Sequence, residues 1–263
     1  MTASTTSASP STTPNGRSHT PRHPARGPLP PLPGPLRTVL VLLVGVLPAS
    51  RAKNALLRLL GHRVSPRARV APCLLLRVGM LDLAASSSVG TGTVIRSVRL
   101  VRFGENAHVL QWNWISAVPA FGVAFPDDDR PGTFVMGRES ALMSRHYLDV
   151  SGGVSIGEFT SIAGVRSTII THGIDVEQNV QQPFAVAIGD RCLVGSTVVL
   201  VPGTTVPDGC LVAMGSVLKG ELPLAGHLYA GNPATPKRPI SGAHFTRTEG
   251  YVSVPTPRRN GVQ

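Results

Sequence analysis

Between Ile188 and Leu222 the sequence repeats itself every six residues. Ile188, Val194, Leu200, Val206, Val212 and Leu218 form a large aliphatic column, and two positions before each stand Val186, Cys192, Val198, Thr204, Cys210 and Ser216, a column of smaller side chains. A unit this short cannot enclose its own apolar residue; it buries it only by stacking on neighbouring units, as in a β-solenoid. Six residues then make one flat side of a triangular coil, and three sides close a turn of eighteen. In such a fold a side chain's register fixes its place, so chemistry-bearing residues can be located from spacing.

Composition agrees with this reading. Only 15% of the 263 residues are charged and 5% aromatic, while 28 Gly and 24 Pro suit short strands and tight corners. The formal charge of +11 is uneven: Met1 to Arg77 holds 11 Lys and Arg and no acid, and from Asp82 onward 14 basic residues face 14 acidic ones. The high isoelectric point is therefore no sign that the main domain grips nucleic acid, and no nucleic-acid partner is expected. Three cysteines are too few and too scattered for a disulfide framework or a Cys-rich zinc site. Cys192 and Cys210 should stack on adjacent rungs, roughly 4.8 Å apart. A disulfide is conceivable there, but two small reduced residues of the interior column are the plainer expectation.

The organisation follows in chain order. Residues 1–35 read as a disordered basic tail rich in Pro, Ser and Thr. Residues 36–62 read as an apolar and basic helical segment. Its run Val39 to Leu47 falls well short of the roughly 20 residues needed to span a bilayer. It also sits too far from the N-terminus for a usual export signal. Ser50 to Leu60 reads as a short helix with Ser50 as N-cap and Gly61 as stop, leaving Leu56, Leu57, Leu59 and Leu60 for an apolar face. This segment either caps the open end of the solenoid or lies on anionic lipid, and the two are compatible. A peripheral membrane contact is accordingly placed at residues 36–69.

The solenoid domain is assigned to residues 63–240. The hexad column begins at Val64 and Val70, recurs at Leu83, Val89, Ile95, Phe103, Val109 and Ile115, and resumes at Val150, Ile156 and Ile162. Gly90, Gly104, Gly157, Gly189 and Gly195 follow column residues, which reads as a demand for tight corners. The pattern lapses from Ala117 to Met136, around a solvated acidic loop at Asp127 to Asp129. Ile162 and Ile188 are 26 apart, two more than a multiple of six, so residues must be inserted between them. The stretch 171–184, THGIDVEQNVQQPF, is polar enough to be that loop, and function concentrates on loops held by a rigid scaffold. A basic tail occupies 241–263.

Among eight histidines, His19, His23, His62, His108, His227 and His244 lack a setting in sequence that suggests chemistry. His172 differs: it stands at the mouth of the inserted loop, after an apolar run and three residues before Asp175. A scaffold-held His edged by a polar loop has what a general base requires, a fixed position and access to substrate.

The run ITHGID, then AIGDRCLVGSTVVLVPGTTVPDGCLVAMGSVLKGELP, then AGNPATPKR, resembles the hexapeptide-repeat acyltransferases, in particular maltose and galactoside O-acetyltransferases. A looser likeness, carried by LPASRAKNALLRLLGHRV and SRHYLDVSGG, is to relatives associated with polysaccharide biosynthesis. The resemblance implies an all-β, left-handed parallel β-helix. It also implies direct acyl transfer from acetyl-coenzyme A to a sugar or saccharide hydroxyl, with no metal, in a homotrimer whose sites are completed between subunits. His172 would be the general base and the turn at Ser196 would supply an oxyanion-binding N–H. Met214, Gly215, Ser216, Lys219 and Arg238 would meet coenzyme A, the last after the turn Gly231-Asn232-Pro233. The sequence departs from the pattern at Thr235, where a further basic residue is common, and at Leu193, where tryptophan is frequent. Gln181 and Gln182 stand where a carboxylate often orients the base. Asp175, Glu177 or a group from elsewhere in the chain could take that carboxylate's place, and His146 and Asp149 stand as second candidates.

Two rivals stand beside this reading. A carbonic-anhydrase-like hexapeptide protein would need zinc held by several His, of which only His146 and His172 lie near one another in sequence. A non-catalytic scaffold at a membrane surface would rest on the basic N-terminal third. The expected location is cytoplasmic, with membrane association.

Overall fold

The structure, a computed structural model, describes residues 33–125 and 128–250. Three parallel sheets wrap around one apolar core. Two have 7 strands each; the third has 9, because Leu211–Val212 is followed there by His227–Gly231 and its antiparallel neighbour Ala234–Pro239. The chain visits the sheets in fixed rotation, so each coil lays one strand on each face. Face one runs from Arg63–Val64 to Thr205–Val206, face two from Arg69–Val70 to the C-terminal pair, and face three from Leu74–Leu76 to Val217–Leu218. This is the expected all-β, left-handed parallel β-helix of hexapeptide type.

Register follows the columns. Ile188 pairs with Val206, Val194 with Val212 and Leu200 with Leu218, each 18 residues on. Lower coils are longer: Leu83 pairs with Phe103 and Val89 with Val109, 20 apart. The extra residues sit at the corner between faces three and one, where Ile95 and Phe103 are eight apart. The eighteen-residue turn therefore holds only for the C-terminal coils. Every column residue named above is buried, from Val64 through Leu218. One correction of register applies: the strand Tyr147–Asp149 puts Leu148 in the column, and Val150 is buried at the following corner.

The glycines after column residues serve a purpose other than the one read from sequence. Gly90, Gly104, Gly157, Gly189 and Gly195 do not have positive φ; that conformation belongs to neighbours such as Gly92, Asn106, Phe159, Arg191 and Thr197. What they lack room for is a side chain. A Cβ at Gly157 would fall 2.5 Å from the carbonyl carbon of Gly189, and one at Gly90 would fall 2.5 Å from that of Leu110. Close stacking of rungs, rather than a left-handed turn, excludes the larger residue.

Two helices close the N-terminal end. α1 spans Pro35–Gly45 and α2 spans Arg51–Leu59, with Ser50 Oγ accepting from Lys53 N–H at 3.1 Å as N-cap. Val41 and Leu57 join the core cluster with Val64, Val70 and Leu75. The inner face of α2 is Lys53, Asn54 and Leu57, so the expected leucine face is corrected: Leu56 and Leu59 point outward. Lys53 is buried because it has a use inside. Its Nζ donates to the carbonyls of Gly45, Leu47 and Ala71 at 2.7, 2.8 and 2.9 Å, and burial lowers its pKa. Asn54 Nδ2 likewise donates to Ala68 O at 2.7 Å.

Two insertions leave the solenoid at the corner between faces three and one. The first covers residues 117–132 and contains α3, Pro119–Ala124. The second is an antiparallel hairpin, His172–Asp175 with Val180–Pro183, where sequence suggested only a polar loop. Its hydrophobic residues Ile174, Val176 and Val180 are exposed. The chain's own tail returns over face two: Gly250 N–H donates to Glu139 Oε2 at 2.9 Å, and Arg247 bonds Phe159 O. The expected 1–35 tail lies almost entirely outside the described residues, as do residues 251–263.

Candidate active site

The inserted hairpin begins where the strand Thr168–Ile169 ends, and this places Thr171 and His172 on the rim of the solenoid. On the coil before, the strand Tyr147–Asp149 ends at the same corner, so Asp149 comes to lie beneath them. Asp149 is buried, and each of its oxygens is occupied. Oδ2 accepts from Thr171 N–H at 2.9 Å, Thr171 Oγ1 at 3.0 Å and His172 Nδ1 at 2.7 Å. Oδ1 accepts from Ser151 N–H at 3.2 Å and from the Ser151 hydroxyl.

Burial alone would raise the pKa of Asp149. The hydrogen bonds from Ser151, His172 and Thr171 outweigh it, and the net shift is downward. An ionised Asp149 can only accept, so the proton on the His172 ring belongs on Nδ1 and Nε2 carries the free lone pair. The His172 side chain is 30% exposed, against 7% for Asp149. A dry carboxylate fixing the tautomer of a half-open imidazole is the arrangement of a general base with its orienting acid.

The surroundings hold this pair in place. Ser151 Oγ accepts from Val118 N–H at 2.9 Å, which ties the first insertion to the same acid. From that insertion Phe121, itself buried, packs against the His172 ring with centroids 5.7 Å apart. Gly152 N–H donates to Thr171 Oγ1 at 2.8 Å, and Phe184 N–H donates to Thr171 O at 2.7 Å, pinching the hairpin's neck. A Cβ at Gly152 would fall 2.6 Å from Phe184 N, so only glycine fits.

The other residues singled out by sequence fall in several places. Asp175 does not touch His172; its Oδ1 accepts from Glu177 and Gln178 N–H at 3.0 and 3.1 Å, closing the hairpin turn. The carboxylate bonded to the His172 ring is Asp149, one of the second candidates. Glu177 is exposed at the tip. His146 is also corrected: it is 2% exposed, its Nδ1 accepts from Ser167 N–H at 3.0 Å, and burial lowers its pKa to about 4. It is a neutral internal acceptor, out of reach of substrate and unsuited to share a metal with His172. Among the described residues no group of three or more His, Cys, Asp or Glu is placed to hold a metal ion. Cys73, Cys192 and Cys210 are free and buried.

Ser196 lies at a different corner, between faces two and three. There it stacks over Gly164, where any Cβ would collide with Ser196 Oγ, and Ser196 O accepts from Gly215 N–H at 3.1 Å. Met214 and Gly215 therefore adjoin Ser196, with Met214 exposed and the Cβ direction of Gly215 open. Ser216 is corrected: it is 1% exposed, its Oγ accepts from Gly231 N–H at 3.3 Å and its carbonyl from Val199 N–H at 2.9 Å, so it is closed to a ligand. Lys219 stands past the next strand of face three, and Arg238 lies on the C-terminal strand Ala234–Pro239, both exposed. Within one chain, His172 and Ser196 are separated by the width of face three. Leu193 and His108 line a cavity of about 960 Å³ on face two, beneath His244 and Gly250 of the returning tail.

The class of solenoid is also visible in comparison. Residues 185–219 match the family described as "Hexapeptide repeat of succinyl-transferase". No curated protein matches the chain. Among solved structures, the chain is similar to the polysialic acid O-acetyltransferase OatWY, with 15% identity over 76% of this chain and 90% of that one and a TM-score of 0.43. It is similar to the hexapeptide-repeat acetyltransferase VCA0836 from Vibrio cholerae O1 biovar eltor, solved with acetyl coenzyme A, at 17% identity over 79% and 87% with a TM-score of 0.41. It is also similar to a maltose O-acetyltransferase from Clostridium difficile 630, at 15% identity over 79% and 86% with a TM-score of 0.39. Likenesses at this level concern architecture.

Proposed function

We propose that the protein is an acyl-coenzyme A-dependent O-acyltransferase, acetyl being the expected group and a saccharide hydroxyl the expected acceptor. The observation that carries this is the buried Asp149 holding the Nδ1 proton of His172 at 2.7 Å, with Nε2 left for a substrate hydroxyl. Nε2 removes the proton as the acceptor oxygen attacks the thioester carbonyl. A new C–O bond forms, and the carbonyl oxygen takes up negative charge. Collapse of that intermediate breaks the C–S bond, and the imidazolium returns its proton to the departing coenzyme A thiolate. Asp149 stays ionised throughout and stabilises the imidazolium.

The backbone N–H of Ser196 is the proposed oxyanion donor. Since one chain holds it a full face away from His172, the reading calls for a second subunit to bring another Ser196 to this corner. A homotrimer of side-by-side solenoids meets that need. Met214 and Gly215 adjoin that donor, as the pantetheine arm requires, and Arg238 would meet phosphate. The cytoplasm, where acyl-coenzyme A is available, is the proposed location.

The test is His172→Ala. It should keep the melting temperature within a few degrees and lower acetyl-coenzyme A-dependent transfer to a saccharide panel by about 10³-fold or more. Near-normal turnover by the folded variant would remove the assignment.

A further inference from the structure

Face two carries a cavity of about 960 Å³, the size of a small-molecule site. Its floor is two outward columns of side chains. Ala141 pairs in register with His108 on one side and Ser161 on the other, and Ser161 pairs with Leu193; Leu110, Met143 and Ala163 form the second column beside them. The small residues Ala141, Ser161 and Ala163 stand among the larger Leu110, Met143 and Leu193, and this difference in size leaves the hollow. The roof is the returning tail, held over the floor by Gly250 N–H on Glu139 Oε2 at 2.9 Å and by Arg247 on Phe159 O. Face three, between the His172 and Ser196 corners, is the side that a trimer turns inward. This cavity lies around the Ser196 corner from it, under cover of its own chain.

The polar groups around this floor are mostly uncharged or already paired. His108 Nδ1 bonds Ser88 Oγ at 2.9 Å, and burial lowers the pKa of both His108 and His244, so each imidazole is neutral near neutral pH. Glu139 accepts from Asn106 Nδ2 at 2.7 Å through Oε1 and from Gly250 N–H through Oε2. Among the described residues no Lys or Arg lines the cavity, and Glu249 stands exposed at its rim. An anionic ligand would therefore find no counter-charge here and would meet a carboxylate on entry. An uncharged one with an apolar body fits. His244 Nε2 is buried with no hydrogen-bond partner among the described residues, a cost that a ligand hydroxyl would remove.

One end of the cavity meets the proposed chemistry. Gly164 lines it and lies directly under Ser196, and Leu193 precedes that serine by three residues. Met214 and Gly215 adjoin Ser196 from the coil above. The acyl-donor arm and the cavity thus reach the oxyanion-binding turn from opposite sides along the solenoid. From this we infer that the face-two cavity seats the uncharged, apolar part of the acceptor, so that the hydroxyl acylated belongs to an amphiphile, a glycoside with a hydrocarbon or aromatic aglycone. Burial of that part supplies binding energy that a free sugar lacks. It also holds the hydroxyl at the Ser196 end, where a second subunit brings His172. The role of the hydroxyl rests on the proposed acyl transfer; binding in the cavity does not.

The experiment titrates the full-length protein, without acyl donor, with methyl glucoside and with octyl glucoside below its micellar concentration. Octyl glucoside should bind more tightly by about tenfold or more. Met143→Glu, which puts a charge on the floor, and Ala141→Phe, which fills the hollow, should each weaken octyl glucoside binding by about tenfold. His244→Ala should weaken it by about two- to tenfold. All three side chains are only half-buried, so melting curves should stay close to wild type. In transfer assays with a saccharide panel offered as methyl and octyl glycosides, the octyl form should show a kcat/KM higher by about tenfold or more, with KM for acetyl-coenzyme A unchanged by the floor variants. Equal affinity for the two glucosides would overturn the inference, as would an octyl preference that survives both floor variants. Octyl binding with no transfer to any glycoside would remove the catalytic reading, and the acceptor role with it. Transfer to methyl glycosides as efficient as to octyl glycosides would remove this inference alone.

Discussion

Two corners of the same solenoid use carboxylates in opposite ways. At the corner between faces one and two, Asp208 accepts from Asp190 N–H at 2.7 Å and Asp190 accepts from Glu158 N–H at 2.7 Å. Each caps the backbone of the rung beneath, and no insertion interrupts the stack. At the corner between faces three and one, Asp149 also accepts backbone N–H groups, but it adds an imidazole, and both insertions leave the solenoid there. A repeat makes one kind of acid structural wherever the rungs are uninterrupted. Breaking the repeat opens room for a side chain such as His172 to face substrate.

The comparison can be broken most severely with acid. His62 and His146 are buried acceptors of backbone N–H, each with its pKa pushed down to about 4 by burial. The unfolded chain protonates them near the ordinary value of about 6.5. Stability should therefore fall as pH drops from about 6.5 towards 4, because there the unfolded state binds more protons. Asp149 behaves differently: its contribution is held in full above the ordinary carboxylate pKa of about 3.9 and is lost as pH falls from there through its depressed folded value. Chemical denaturation across pH should show the first loss above the second, and His146→Asn should flatten only the first.

A smaller effect separates the two kinds of carboxylate. Asp190→Ala strips a capping acceptor from Glu158 N–H and should cost about 1–2 kcal/mol in denaturant titration while leaving turnover intact. Large loss of turnover at unchanged stability would show that the capping corner takes part in chemistry. The smallest expected effect is Asp175→Ala, which loosens the hairpin tip by about 0.5 kcal/mol and should leave the pH–rate profile where it was.

Much of the fold is written in the hexad columns, because a side chain that must stack every rung leaves a fixed period. The misfit between Ile162 and Ile188 marks the second insertion and brings His172 forward. The partner acid is not legible in the same way. Asp149 precedes His172 by 23 residues and meets it only because one coil, at that level, carries the chain back to the same corner. Asp175, close in sequence, is directed instead into its own turn. Trp114 of face three is placed in the same way: it stands in an outward position just before the column residue Ile115, and only coil stacking brings it beside Val46 at the exit of α1.

The central claim is that Asp149 acts through His172, and a double-mutant cycle in acyl-transfer rate tests it most directly. Asp149→Asn in the wild-type chain should lower kcat by about 10²–10⁴-fold and shift the pH–rate profile. In a His172→Ala background the same change should have almost no further effect, because the residue it serves is gone. Equal losses in both backgrounds would contradict the account and reduce Asp149 to a structural acid like those of the opposite corner.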